Sequence, residues 1–115
     1  MNSELTSEIA YNMPCYDLVS FLNVFHHIVH FKGFNEADKI MKCLYKKTNK
    51  YFIFETGQYN EKGLYWSNDL SFMGDSPTQW VLEYLQMLGF SEVKMVSKFK
   101  THLNSEERGF FICTK

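Results

Sequence analysis

No run of apolar residues in this 115-residue chain reaches the roughly 18 that a membrane helix needs. Its first fifteen residues, MNSELTSEIAYNMPC, lack the basic start and apolar centre of a secretory signal. No Cys-x-x-Cys pair occurs, and three cysteines, Cys15, Cys43 and Cys113, are too few and odd in number for a disulfide framework. Cys43 falls in a helical pattern and Cys113 in an apolar strand, where reduced, buried thiols are usual. These absences together point to a cytoplasmic compartment. Charge of one sign is lacking too: 12 Lys and Arg balance 13 Asp and Glu, for a net charge of −1. The basic footprint of a dedicated nucleic-acid binder is missing, so DNA is not expected as a partner. Internal repeats and low-complexity tracts are also absent.

What is present is a packed, aromatic domain: hydrophobic residues make up 45% and aromatic residues 17%, enough for a core and too much for disorder. Residues 16–24, YDLVSFLNV, form a nearly continuous apolar run, which suits a strand buried on both faces of a helix-flanked sheet. Residues 25–33 leave it as a short helical turn or loop closed by Gly33. A helix follows, with Asn35 and Asp38 as its capping box and Ala37, Ile40, Met41, Leu44 and Tyr45 on its inner face. Thr48 to Lys50 form a turn, and YFIFET (51–56) is a second buried strand. The polar and aromatic stretch 57–75 is long enough for a lid or binding loop. Ser76 and Pro77 then start a helix with Trp80, Val81, Tyr84, Leu85 and Leu88 inward and Gly89 as its stop. Residues 92–100 alternate as a half-exposed strand, 101–107 are a polar loop, and 109–114 are a last apolar strand. The order predicts an α/β fold: parallel strands joined through helices, ending in an antiparallel hairpin. Residues 1–15 are an extension or the remnant of a preceding unit, and Leu5, Ile9 and Tyr11 suit a short helix there.

The run Tyr16-Asp17-Leu18-Val19-Ser20-Phe21-Leu22-Asn23-Val24-Phe25-His26-His27 resembles the fourth-strand motif of class I, Rossmann-like S-adenosylmethionine-dependent methyltransferases. YFIFET fits that family's fifth strand, Gly89-Phe90 precedes its sixth, and the closing hairpin resembles its antiparallel seventh strand inserted between the fifth and sixth. The resemblance covers about residues 14–115. It implies a partial methyltransferase sheet of strands 4, 5, 7 and 6, with residues 16–115 as the C-terminal half of the domain. It implies S-adenosylmethionine as cofactor and methyl transfer to a small-molecule or RNA nucleophile once the domain is complete. The family's glycine-rich turn after its first strand has no counterpart here, so the chain is expected to be inactive alone. The alternative is a non-enzymatic half-domain that dimerises, or pairs with a complementing chain, through the exposed fourth strand. A flavodoxin-like receiver fits less well, since it would open on a strand with an acidic cluster and would not close in a hairpin.

On this resemblance Leu22, Asn23, Val24 and Phe25 are the cofactor-binding positions, at the carboxyl edge where open α/β sheets bind ligands. An ordinary strand exit with a capping Asn is the plainer account. His26 and His27 are candidates for a base or for shaping the acceptor pocket, and equally for packing. Glu55, ending the second strand on the same edge, could orient an acceptor or cap the loop after it. Tyr59, Tyr65 and Trp66 are candidate acceptor contacts, or simply cover for the sheet. His26 and His30 stand four residues apart, but no HEXXH and no neighbouring acidic or cysteine ligand accompanies them, so no metal site is expected.

Overall fold

Residues 5–100 and 106–115 are described by the computed structural model of the chain. Thr6 accepts from the Ile9 N–H at 3.2 Å and so starts a short helix, α1 (Ser7–Asn12). Strand β1 (Tyr16–Leu22) and strand β2 (Thr48–Glu55) run parallel, with Val19 opposite Phe52 and Phe21 opposite Phe54. Parallel neighbours need a long crossover, and helices α2 (Phe25–Lys32) and α3 (Phe34–Lys47) supply it. A 3-10 helix (Ser67–Met73) and helix α4 (Pro77–Leu88) follow, then strands β3 (Glu92–Lys100) and β4 (Glu107–Thr114). Strand β4 lies between β2 and β3 and is antiparallel to both, giving the order β1-β2-β4-β3. The α/β class and the closing antiparallel hairpin are as the sequence pattern indicated.

Alternation along the strands decides which face is covered. Val19, Phe21, Phe52, Phe54, Phe111 and Cys113 are buried with Phe25, Ile28, Ile40, Met41, Leu44, Val81 and Leu85 of the helices in one core. The Phe54 ring sits at its centre, 6.3 Å from Phe21, 5.8 Å from Phe25 and 6.0 Å from Phe52. Among the described residues no helix covers the opposite face: Leu18 is 56% exposed and its register partner Tyr51 48%. The expectation that β1 is buried on both faces is therefore corrected. Strand β1 is an edge strand covered on one side, and only Val19 and Phe21 of its seven residues are buried.

Other boundaries shift for local reasons. Residues 25–32 are a full helix of 8 residues rather than a turn. The Asn35–Asp38 capping box does not form. Gly33, at φ 88°, precedes α3 without a side-chain cap, and Asp38 instead accepts from the Tyr84 hydroxyl at 2.7 Å and pairs with Lys42 at 2.8 Å. Thr48 to Lys50 belong to β2, and the Thr48 hydroxyl donates back to the Leu44 carbonyl. Pro77 opens α4 and Gly89 closes it in the left-handed region, as expected, but Ser76 makes no side-chain cap. Most of the loop expected over 101–107 lies outside the described residues, and Glu107 already belongs to β4.

Candidate functional site

Three strand ends meet at one edge of the sheet: the exits of the parallel pair β1 and β2, and the entry of the reversed strand β4. Asn23 leaves β1 at φ 59°, the only non-glycine with positive φ among the described residues. Its N–H donates to the Glu55 carbonyl at 3.2 Å. Its Oδ1 accepts from Arg108 Nη1 at 2.8 Å.

Arg108, the chain's sole arginine, is 2% exposed. Its Nε lies 3.1 Å and 3.0 Å from the two Glu61 oxygens, and Nη1 donates to Glu55 Oε2 at 3.2 Å. Its Nη2 is buried with no acceptor among the described residues. Glu61 Oε2 also accepts from the Gln58 N–H at 2.6 Å. Gln58 in turn takes the Gly109 N–H at 3.0 Å and donates to the Thr78 hydroxyl at 3.0 Å. One guanidinium thus ties β1, β2, β4 and the loop after β2 together. Two carboxylates share it, and burial raises the Glu55 carboxyl above its usual range against the opposing pull of Arg108.

His26 is buried beneath this network. Its Nδ1 accepts the Gly57 N–H at 2.8 Å and lies 3.2 Å from the Thr56 hydroxyl, which leaves the ring proton on Nε2. The Trp66 ring packs 4.3 Å from it. Burial foremost, with His27 and Arg108 adding to it, lowers the imidazole from 6.5 to about 2. His26 is therefore a neutral N–H donor, and its acceptor nitrogen is already used. His27, half-buried, lies 4.2 Å from it ring to ring, and its Nδ1 is 3.2 Å from the Tyr65 hydroxyl. Burial, then Arg108 and His30, lower His27 as well, so at neutral pH it can accept a proton. His30 sits 2.5 Å from Asp69.

The edge thus gathers Leu22, Asn23, Glu55, His26, His27, Tyr65 and Trp66, but in different capacities. Leu22 and Asn23 are exposed at the edge, while Val24 and Phe25 are buried, and the Phe25 ring belongs to the core beside Phe54 and Tyr84. Trp66 is not an outer lid residue: it is 2% exposed and packs under the loop, whereas Tyr65 is exposed. Tyr59 is half-buried, with the Lys62 ammonium 3.1 Å from its ring centre. Among the described residues no group of three His, Cys, Asp or Glu is placed to hold a metal, and no helix is long and apolar enough to cross a membrane. Cys113 is buried, which pushes its thiol up to about 12.

Sequence reasoning missed Arg108, Glu61 and Gln58. Arg108 carried a signal, being a lone arginine directly before an apolar strand. Glu61 and Gln58 look like ordinary polar loop residues, and only the folded loop buries them.

No protein-family model and no curated protein matches the chain. Solved structures of WbdD do. One superposes with a TM-score of 0.71 at 26% identity over 93% of this chain. Another, described as the bifunctional kinase-methyltransferase WbdD, gives 0.70 at 25% over 93%. A third, with its C-terminal bundle ordered, gives 0.69 at 27% over 93%. The chain spans about a fifth of their length, 22% of the first. Its fold is thus similar to part of a kinase-methyltransferase.

Proposed function

We propose that this chain is the C-terminal half of a class I S-adenosylmethionine-dependent methyltransferase domain, with its four strands as strands 4, 5, 7 and 6 of that family. The observation that carries the reading is the likeness of 93% of the chain to a bifunctional kinase-methyltransferase. Of the two activities in that name, the sequence motif and the β1-β2-β4-β3 order favour the methyltransferase part.

The one-sided sheet supports the same reading. Right-handed crossovers that always step in one direction put every helix on one face. Strands that wind the opposite way from the outer edge of β1 would bring helices over the open face around Leu18 and Tyr51. The reversal, where doubly wound sheets bind their ligands, then falls beside Leu22 and Asn23. The exposure of these two residues at the strand exit fits a cofactor edge there.

S-adenosylmethionine, when bound, supplies a methyl group on a sulfonium sulfur. This chain's residues 22–25 would present backbone to it, and a glycine-rich turn would come from outside these 115 residues. His26, as a neutral donor, would orient rather than deprotonate. Glu55, held by Arg108, would fix the strand exits. His27 with Tyr65, at the accessible end, is left as the pair able to take a proton from a small-molecule or RNA acceptor.

A second reading is favoured by the position of β1 at the edge of the sheet, where no described strand pairs with its outer side. A second copy, or a complementing chain, would pair with the open β1 edge without catalysis. Calorimetric titration with S-adenosylmethionine separates the two. Saturable one-to-one binding is expected under the first. No heat at millimolar cofactor, together with concentration-dependent dimerisation, would replace it with the second.

A further inference from the structure

We infer that Arg108 is a positioning residue, which holds the left-handed turn at Asn23 and so sets the backbone of residues 22–25. The inference rests on the reading of that edge as cofactor-facing. An L-residue at φ 59° is held against its own preference, and asparagine tolerates this better than most. Two hydrogen bonds hold Asn23 among the described residues, and Arg108 bears on both. Its Nη1 binds the side chain directly at 2.8 Å. The same Nη1 grips the side chain of Glu55 at 3.2 Å, whose carbonyl receives the Asn23 N–H.

The guanidinium is itself oriented from behind. Both Glu61 oxygens bear on its Nε, the Gln58 N–H fixes Glu61, and Trp66 lies 5.7 Å from the guanidinium carbon. A buried guanidinium has five N–H donors to place, and Nη2 has no acceptor among the described residues. Yet Arg108 reaches across 85 positions of sequence to a neutral amide on the exposed exit of another strand. Its charge makes that hydrogen bond stronger than a neutral one.

The test uses S-adenosylhomocysteine as the probe, titrated into the isotope-labelled chain, with thermal midpoints measured in parallel. In Arg108→Lys and in Asn23→Ala, affinity is expected to fall about tenfold, the loss of one charge-assisted hydrogen bond. The amides of residues 22–25 should move even before ligand is added. Asn23→Gly, which adopts positive φ freely, should recover part of the affinity lost in Asn23→Ala. In the Asn23→Ala background, Arg108→Lys should weaken binding by less than about twofold further, since both act through one contact.

The inference is overturned if Arg108→Lys lowers the thermal midpoint but leaves affinity and the 22–25 amides unchanged, or if the two losses multiply. Should Arg108→Lys not fold, wild-type affinity in Asn23→Ala overturns it alone. If the wild-type chain binds no probe, the cofactor reading fails instead. The amide shifts then decide separately whether Arg108 holds the turn, and unmoved 22–25 amides in Arg108→Lys would overturn it.

Discussion

The backbone N–H of Gly57 donates to Nδ1 of His26 across 2.8 Å, and this pair fixes the chemistry of the edge. The same glycine leaves no space for a side chain. A Cβ there would stand 2.5 Å from Trp66 Cη2 and 2.8 Å from the His26 ring. Gly57→Ala is therefore expected to lose about 1–3 kcal/mol, the usual cost of overpacking. Denaturant unfolding of the two proteins side by side checks this, and an unchanged midpoint would show that the ring pair can move aside.

Acid should act through His26. The unfolded chain takes up a proton near the ordinary value of 6.5, while the folded imidazole resists until about 2. Below that ordinary value the unfolded state therefore binds the extra proton. Stability from this group is full above pH 6.5 and declines as pH falls, by about 1.4 kcal/mol per pH unit for one proton. Ring resonances of His26 should accordingly stay at their neutral, Nε2-protonated positions until the protein unfolds in acid. A midpoint near 6.5 in the folded protein would contradict its burial and its bond to Gly57.

The open side of the sheet makes a separate claim. Leu18 is exposed on an edge strand, so Leu18→Lys should change the stability of the monomer by no more than about 0.5 kcal/mol. It should nevertheless abolish association through that surface, because a lysine on an edge opposes strand pairing. Sedimentation equilibrium checks both halves: under the second reading the wild type should associate with rising concentration and the variant should not. Equal behaviour of the two would show that this edge is not a pairing surface.

Much of the fold was legible because its signals are local. The apolar run at Val19–Phe21, the YFIFET strand, Pro77 opening α4 and Gly89 closing it each speak through neighbours in sequence. The hairpin was legible from the lack of a helical pattern between the last two strands. The burial of β1 was misread, since apolar composition states what a strand can be covered by and not whether this chain carries the cover. Leu18 and Tyr51 look like core residues for the same reason. The candidate edge was legible at Asn23 and Glu55, which end neighbouring parallel strands on the same side. Its centre was not. Arg108 meets Asn23, Glu55 and Glu61 only because β4 reverses and inserts beside β2, which brings the chain's last segment to the exit of its first strand. No local pattern encodes that meeting. Trp66 and Phe25 mislead in the opposite sense, as aromatics beside the site that the core claims.

The central claim is that the exits of β1 and β2 form one wall of a cofactor crevice. Chemical-shift mapping with S-adenosylhomocysteine tests it most directly. The account predicts saturable shifts in the amides of Leu22, Asn23, Val24, Phe25 and the residues following Glu55, with the β3 edge unmoved. Shifts confined to the apolar groove of about 500 Å³ between Phe34, Phe72, Trp80 and Met87, or none at the strand exits, would contradict it.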